Sequence, residues 1–404
     1  MRIRNRIRPY TCIWFALLTL TSASPASAQK VTTVPDLTGQ QVLQQLANPG
    51  VAPTVGDVFA TVTAVEIATA PFGTSSGGFV FKLDPATGLL QRTTTSFGPS
   101  FVERALTAGE GKVSAGATFS STTYDKLSDF SLSNIPLGST TAASPIVTGT
   151  TTGNLKISSQ TLAISGVVGV SPKLDVGVVV PLVTVKISGT SAFVNANGVV
   201  GRLAESDNKF SGIGDIAAFA KYRFVKFKGP DVPDPGGIAL NVTARLPTGS
   251  RENLRGLGMG RTLGSLVASF GTGPLRPHGS VGFEFWNEGI NVGGEHLRHQ
   301  FQYSGGVEIV AAPKLTLLVD FLGQRILGAG PVVVGSVTPV AGLGITSAQS
   351  LVYADGSTNK ALLIPGLKVN LKGKLVLSLN ALVTMQNNGL HGKVTPVAGL
   401  NLTM

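Results

Sequence analysis

The stretch 238–247 limits this chain more than any other. Ile238, Leu240, Val242, Ala244 and Leu246 occupy one parity, and Ala239, Asn241, Thr243, Arg245 and Pro247 the other. A β-strand sends successive side chains to opposite faces, so this is a strand with one apolar and one mostly polar face. The preceding arm repeats the pattern: Ile216, Ala218, Ala220, Tyr222 and Phe224 stand against Asp215, Ala217, Lys221 and Arg223, and Phe219 is the one large apolar residue on the polar side. The two arms form an antiparallel hairpin within 212–250. A soluble sandwich also has two-faced strands, so the class is decided by what surrounds the hairpin.

An export signal precedes it. Arg2, Arg4, Arg6 and Arg8 form a cationic start, 12–20 is a short apolar core, and Ala26-Ser27-Ala28 has the small-residue form of a cleavage site. The mature chain is expected to begin at Gln29. Cleavage at that point removes Cys12, the single cysteine, so disulfides, thiolate metal sites and a cysteine nucleophile are not expected. Loss of the four signal arginines lowers the net charge from +11 to +7. That excess is spread thinly, without the clustered basic patch that nucleic acid demands. Although 43% of residues are hydrophobic, no later stretch supplies the ~18 consecutive apolar residues of a membrane helix. Fifty-one glycines and abundant Val, Thr and Ser favour strands and tight turns.

From Gly111 onward the alternation recurs. Strands are expected at about 111–131, 153–169, 174–192, 211–226, 236–248, 260–272, 276–288, 299–311, 314–328, 359–372, 375–387 and 392–404. Each reaches the ~9–11 residues that a tilted strand needs to cross the hydrocarbon layer. Ser171-Pro172-Lys173, Gly273-Pro274-Leu275, Ala312-Pro313 and Gly373-Lys374 make tight connections, whereas 136–153, 195–210 and 330–359 read as long loops. Short turns at one end and long loops at the other mark outer-membrane barrels, with the short turns in the periplasm. The expected fold is therefore an all-β transmembrane antiparallel barrel of about twelve strands, or fourteen if the hairpin at 77–95 joins it. The last segment alternates as such barrels do, ending in Met404 where a terminal Phe is more usual.

Residues 29–110 read differently. Thr38-Gly39-Gln40-Gln41 has the form of a capping box, and Val42, Leu43 and Leu46 follow on one helical face up to Asn48-Pro49-Gly50. The hairpin at 77–95 turns around Asp84-Pro85-Ala86-Thr87-Gly88. Ser100-Phe101-Val102-Glu103 is a second capping box, predicting a helix over 100–107 that carries Phe101, Glu103 and Arg104. The segment is either a periplasmic extension or a plug folded into the barrel from the periplasmic side. Two capped helices with apolar faces to cover favour the plug.

GDIAAFAKYRF (214–224) with ARLPTGS (244–250) resembles the outer-membrane channel family associated with phenol-degradation operons, a family distantly similar to the long-chain fatty-acid transporter and its aromatic-hydrocarbon relatives. SPKLDVGVVVPLV (171–183) fits that family's strand after its first periplasmic turn, and SFGPSFVERALTAGEGKVSAG (96–116) is similar to a plug-to-barrel junction. The resemblance covers roughly 96–404. It implies passive uptake of small hydrophobic or aromatic molecules across the outer membrane, and no binding residue of the fatty-acid transporter maps onto a motif here.

Other motifs are weaker. His296 and His299 are spaced i, i+3 beside Glu295 in an expected external loop, which a solvated loop explains better than a metal; no metal or cofactor is expected. Gly73-Thr74-Ser75-Ser76-Gly77 matches G-x-S-x-G but lacks the strand-to-helix setting of a nucleophile elbow. Gly256-Leu257-Gly258-Met259-Gly260-Arg261 lacks the Lys-Ser/Thr ending of a phosphate loop and reads as a flexible external loop. By parity, Asp215, Lys221, Arg223, Arg245, Glu284, Glu308, Asp320, Lys368 and Lys372 face away from lipid. They form either an ion-pair network that stiffens the wall or a lumen that selects solutes. The expected protein is a monomeric barrel whose partners are outer-membrane lipid and a small apolar solute. A non-transporting barrel and, on Ser75 alone, an outer-membrane hydrolase are the competing readings.

Overall fold

A computed structural model describes residues 30–31, 37–47, 54–73, 81–83, 90–92, 96–228, 235–271, 273–292, 294–339, 344–372 and 374–403. The export signal, Ser75 and the turn at 84–88 lie outside them.

Twelve antiparallel strands close on themselves. They are β1 (Val113–Tyr124), β2 (Gly149–Ser171), β3 (Leu174–Asn195), β4 (Ala217–Lys226), β5 (Gly236–Arg245), β6 (Arg261–Phe270), β7 (Leu275–Trp286), β8 (Glu295–Ala312), β9 (Leu315–Leu327), β10 (Ser357–Lys372), β11 (Leu375–Thr384) and β12 (Val394–Thr403). Each pairs with its chain neighbours, and β12 returns to β1 with Leu400 opposite Ala117. The small hairpin of Phe81–Leu83 and Leu90–Arg92 pairs only with itself, which settles the count at twelve among the described residues.

Burial is inverted relative to a soluble protein. Leu240, Val242, Tyr222, Phe224, Leu266 and Leu400 are exposed on the outer surface, while Lys221, Asp320, Glu284 and Glu308 are almost wholly enclosed. Bare apolar side chains outside and charges within are the arrangement that lipid selects.

Four tight connections gather at one end of the barrel, here the turn end. At the other, the loop end, the wall continues well beyond its neighbours. β2 and β3 run 23 and 22 residues against 10 for β5. Further strands extend them into an outer sheet: Val200–Ile213 beside β3, and Ile135–Ala142, Ile345–Tyr353 and Val332–Val337 on the β2 side. Three stretches expected as long loops are thus partly sheet. The stretches 136–153 and 330–359 are rich in Thr, Ser and Val, and the projecting backbone of β2 and β3 offers all three an edge to pair with.

Val200–Ile213 leads into β4 through a one-residue bulge, since Ile213 opposes Leu182 whereas Ala217 opposes Val179. A bulge shifts the alternation by one and re-aims side chains. Lys209, Ser211 and Ile213 face out, yet Asp215 is buried in phase with Ala217.

Two helices precede the barrel. α1 (Gly39–Ala47) has the capping box expected at Thr38: Gln41 N donates to Thr38 Oγ1 at 3.3 Å, and Thr38 N to Gln41 Oε1 at 2.9 Å. α2 (Thr54–Thr69) was not legible in the sequence. Both lie at the loop end, where Val42, Leu43, Leu46, Val58 and Phe59 pack into one apolar cluster with Ile135, Ile187, Leu254, Trp286, Leu297 and Leu351. The order is the reverse of the one expected. The chain enters at the loop end, with Lys30–Val31 paired parallel to Leu203–Ala204, and reaches the turn end before β1 begins. The 251–259 stretch is likewise no flexible loop: Leu254, Leu257 and Met259 are buried in the same cluster.

Candidate functional site

Described parts of the chain's N-terminal segment bond to inward-facing side chains of the barrel wall at three levels. At the loop end, the last carbonyls of α2 have no helical partners. Arg261 Nη2 donates to Ala68 O at 3.1 Å and Gln324 Nε2 to Thr69 O at 3.2 Å. A cation at a helix C-terminus also suits the helix dipole. Arg261 is held in turn by Asp215 Oδ2 at 3.1 Å and Glu284 Oε1 at 3.3 Å, and Trp286 Nε1 donates to Glu284 Oε1 at 2.9 Å. Asp215 accepts further bonds from Gly249 N and Leu257 N, so one inward carboxylate ties the 249–257 loop to the helix anchor. A Cβ on Gly256 would sit 2.2 Å from Asp215 Oδ1, which accounts for glycine there.

At mid-barrel the segment narrows to Pro71-Phe72-Gly73. Arg245 lies 4.7 Å over the Phe72 ring and 3.5 Å from Glu284 Oε2, joining this neck to the upper cluster. Two spaces flank the neck. The first is walled by Ile67, Phe72, Phe101, Ala163, Val183, Leu382 and Val397, with four threonines, Ser120, Asp215 and Arg255 among them. Phe219, Asn241, Thr243, Arg245 and Ser280 line the second, which is more polar.

Residues 96–108 cross the turn end without regular secondary structure. Their backbone donors are received by side chains of the wall: Phe97 N by Thr316 Oγ1, Gly98 N by Glu308 Oε2, Phe101 N by Asp320 Oδ2, Ala105 N by Ser269 Oγ and Ala108 N by Asp175. Lys368 Nζ donates to Pro99 O at 2.7 Å, and Lys221 Nζ meets Glu103 Oε2 at 3.4 Å. The expected helix over 100–107 is absent. An α-helix would turn Ala105 N onto the Phe101 carbonyl, but Ser269 on β6 takes that donor. The wall's acceptors are held in place by the sheet, and ordering them costs no further entropy, so they outcompete a short helix. Phe101 instead lies between the cavities, Glu103 pairs with Lys221, and Arg104 is 2% exposed, folded against Gly98, whose φ is +77°.

Of the residues singled out by parity, Asp215, Lys221, Arg223, Glu284, Glu308, Asp320 and Lys368 are buried, and Arg245 faces inward with them. Only the backbone of Lys372 is described, opposite Leu375. Parity missed Asp175, Arg261, Arg276 and His278, all of which are buried. His278 Nε2 lies 3.0 Å from Asp320 Oδ1. His296 lies 2.5 Å from Asn291 Oδ1, and no group of three metal-ligating side chains occurs among the described residues.

No family model and no curated protein matches the chain. Among solved structures it is similar to an outer membrane channel from Pseudomonas putida F1, at 10% identity over 74% of this chain and 98% of that one with a TM-score of 0.47. The P. putida toluene transporter TodX matches at 9% identity, 74% and 91% coverage and a TM-score of 0.36. The β domain of the Bordetella autotransporter BrkA matches at 10%, 73% and 100%, with a TM-score of 0.37. A channel, a transporter and an autotransporter domain stand together in that set, so the likeness is one of barrels and carries no cargo with it.

Proposed function

We propose that the protein is an outer-membrane channel for passive passage of small hydrophobic or aromatic solutes, with residues 29–110 as its internal plug. In this reading the turn end faces the periplasm and the loop end the cell exterior. The observation that carries it is the mostly apolar space beside Phe72, lying between an apolar cluster at the loop end and a segment pinned to the wall. Water and ions gain less from such a path than an apolar solute does, because burying a polar solute with few partners costs free energy. A small apolar solute loses nothing there. Polar groups around the second space supply contacts for an occasional hydroxyl without making the route a hydrophilic pore.

The wall beside the apolar space also has weak rows. Pro365 on β10 and Pro396 on β12 flank Ala381 of β11, and the β10–β11 pairing skips Ile364 and Pro365. Proline has no N–H for the ladder, so these strands are held together less tightly than their neighbours.

The test is paired uptake into liposomes holding the purified protein. A small fluorescent aromatic should enter faster than in empty liposomes, and arabinose should not. Arabinose entry with no gain for the aromatic would overturn the reading. Gain for neither would favour the non-transporting barrel, for which the ion-paired anchoring of the plug through Arg261 is the supporting observation.

A further inference from the structure

The outer surface carries a feature that the lumen does not use. Phe119, Leu162, Leu182 and Ile213 form one cross-strand row, all exposed, at the top of the apolar band on the β1–β3 side. The next outward row is Ser121, Gln160, Thr184 and Ser211, and Thr184 Oγ1 lies 3.0 Å from Ser211 Oγ. In the row beyond, Lys186 stands directly opposite Lys209, both side chains exposed. Lys156, opposite Ser188, adds a third outward lysine one step further out.

Like charges directly opposite on paired strands are destabilising unless something neutralises them. The carboxylates within reach are Asp207, 3.3 Å from Lys186, and Glu205 one row higher. The Lys186–Asp207 pair is more than half exposed on both sides, so water screens it heavily. Four residues at about 3.3 Å each, inclined as barrel strands are, place Lys186 and Lys209 about 10 Å above the last apolar row. That is headgroup height, and lysine stems can reach down further. The intervening hydroxyls and the Gln160 amide lie where lipid sugars and phosphates would be.

We propose that Lys156, Lys186 and Lys209 form a binding surface for the phosphate groups of an anionic glycolipid in the outer leaflet. The inference rests on the external placement of the loop end given above. The lipid's phosphates neutralise the opposed lysines, and its acyl chains lie along Leu162, Leu182 and Ile213. The site fastens the side of the barrel where β2 and β3 project furthest.

The experiment uses the full mature protein in detergent, titrated with bisphosphorylated lipid A, the same lipid stripped of its phosphates, and inorganic phosphate, and read by native mass spectrometry. The wild type should prefer the phosphorylated lipid by roughly 150-fold, the expected sum of three lysines at an anionic surface at about 1 kcal/mol each. Lys186→Gln with Lys209→Gln should cut that preference about thirtyfold, and Lys186→Arg with Lys209→Arg should keep most of it. Equal binding of both lipids by the wild type overturns the proposal, whether or not any variant folds. A preference unchanged in the Gln variant, or inorganic phosphate competing at the same concentration as the lipid, also overturns it. Heat-modifiable migration on gels reports barrel integrity separately. Its loss in the wild type would contradict the proposed function, whereas a folded barrel without phosphate preference contradicts only this site.

Discussion

The two ends of the lumen receive the same N-terminal segment in opposite ways. At the loop end it is helical and greasy, with α1 and α2 buried against Ile187, Trp286 and Leu351. At the turn end it is irregular, and N–H groups along it are taken one by one by Thr316, Glu308, Asp320, Ser269 and Asp175. An apolar environment offers a backbone no partners, so the chain must satisfy itself as a helix. A wall lined with fixed acceptors permits a chain without regular structure, and its local sequence then matters less. Arg261 sits at the boundary, closing the end of α2 with a guanidinium that also bridges two wall carboxylates.

The sharpest way to break this contrast is at that boundary. Arg261→Ala leaves Asp215 and Glu284 buried without their shared partner, which should cost about 3–5 kcal/mol. The check is a fall in the denaturant midpoint of heat-modifiable migration, with freer ion passage through the loop end. Leu46→Ala probes the apolar end alone. It is fully enclosed and should cost about 2–5 kcal/mol, leaving the 96–108 segment still protected from hydrogen exchange. Val242→Arg should block assembly or cost about 2–4 kcal/mol on the lipid side, while Thr243→Arg on the inner face should be tolerated better. Equal losses at the two positions, measured as folded yield in membranes, would contradict the face assignment. Thr38→Ala, which removes one half of a capping box, should cost about 1 kcal/mol and show only as faster exchange in α1.

How much of this the sequence discloses depends on contrast between neighbouring residues. The β4–β5 hairpin is legible because Tyr222 and Phe224 stand beside Lys221 and Arg223. Asp175 is not, since Val176, Val178 and Val179 make both faces of β3 apolar and parity has nothing to separate. Arg261 follows a glycine-rich run that reads as loop, although Leu257 and Met259 are buried within it. α2 is hidden for the same kind of reason: it is buried on nearly every side, with Asp57 and Glu66 its only acids, so it shows no amphipathic stripe and its many β-branched residues suggest a strand. The error at 100–107 ran the other way. Ser100 and Glu103 satisfy a local helix rule, but the deciding acceptors, Asp320 and Ser269, lie far off in sequence. Likewise, the direction in which the segment traverses the barrel depends on contacts such as Gly39 N to Asn253 Oδ1, which no local pattern encodes.

That the N-terminal segment plugs the lumen is the central proposal, and single-channel conductance in planar bilayers tests it most directly. The mature protein should conduct weakly, and a variant lacking 29–108 that still shows heat-modifiable migration should give larger, steadier openings. A folded deletion variant that conducts no better than the mature protein would contradict the claim, because the space would then be closed by something other than this segment.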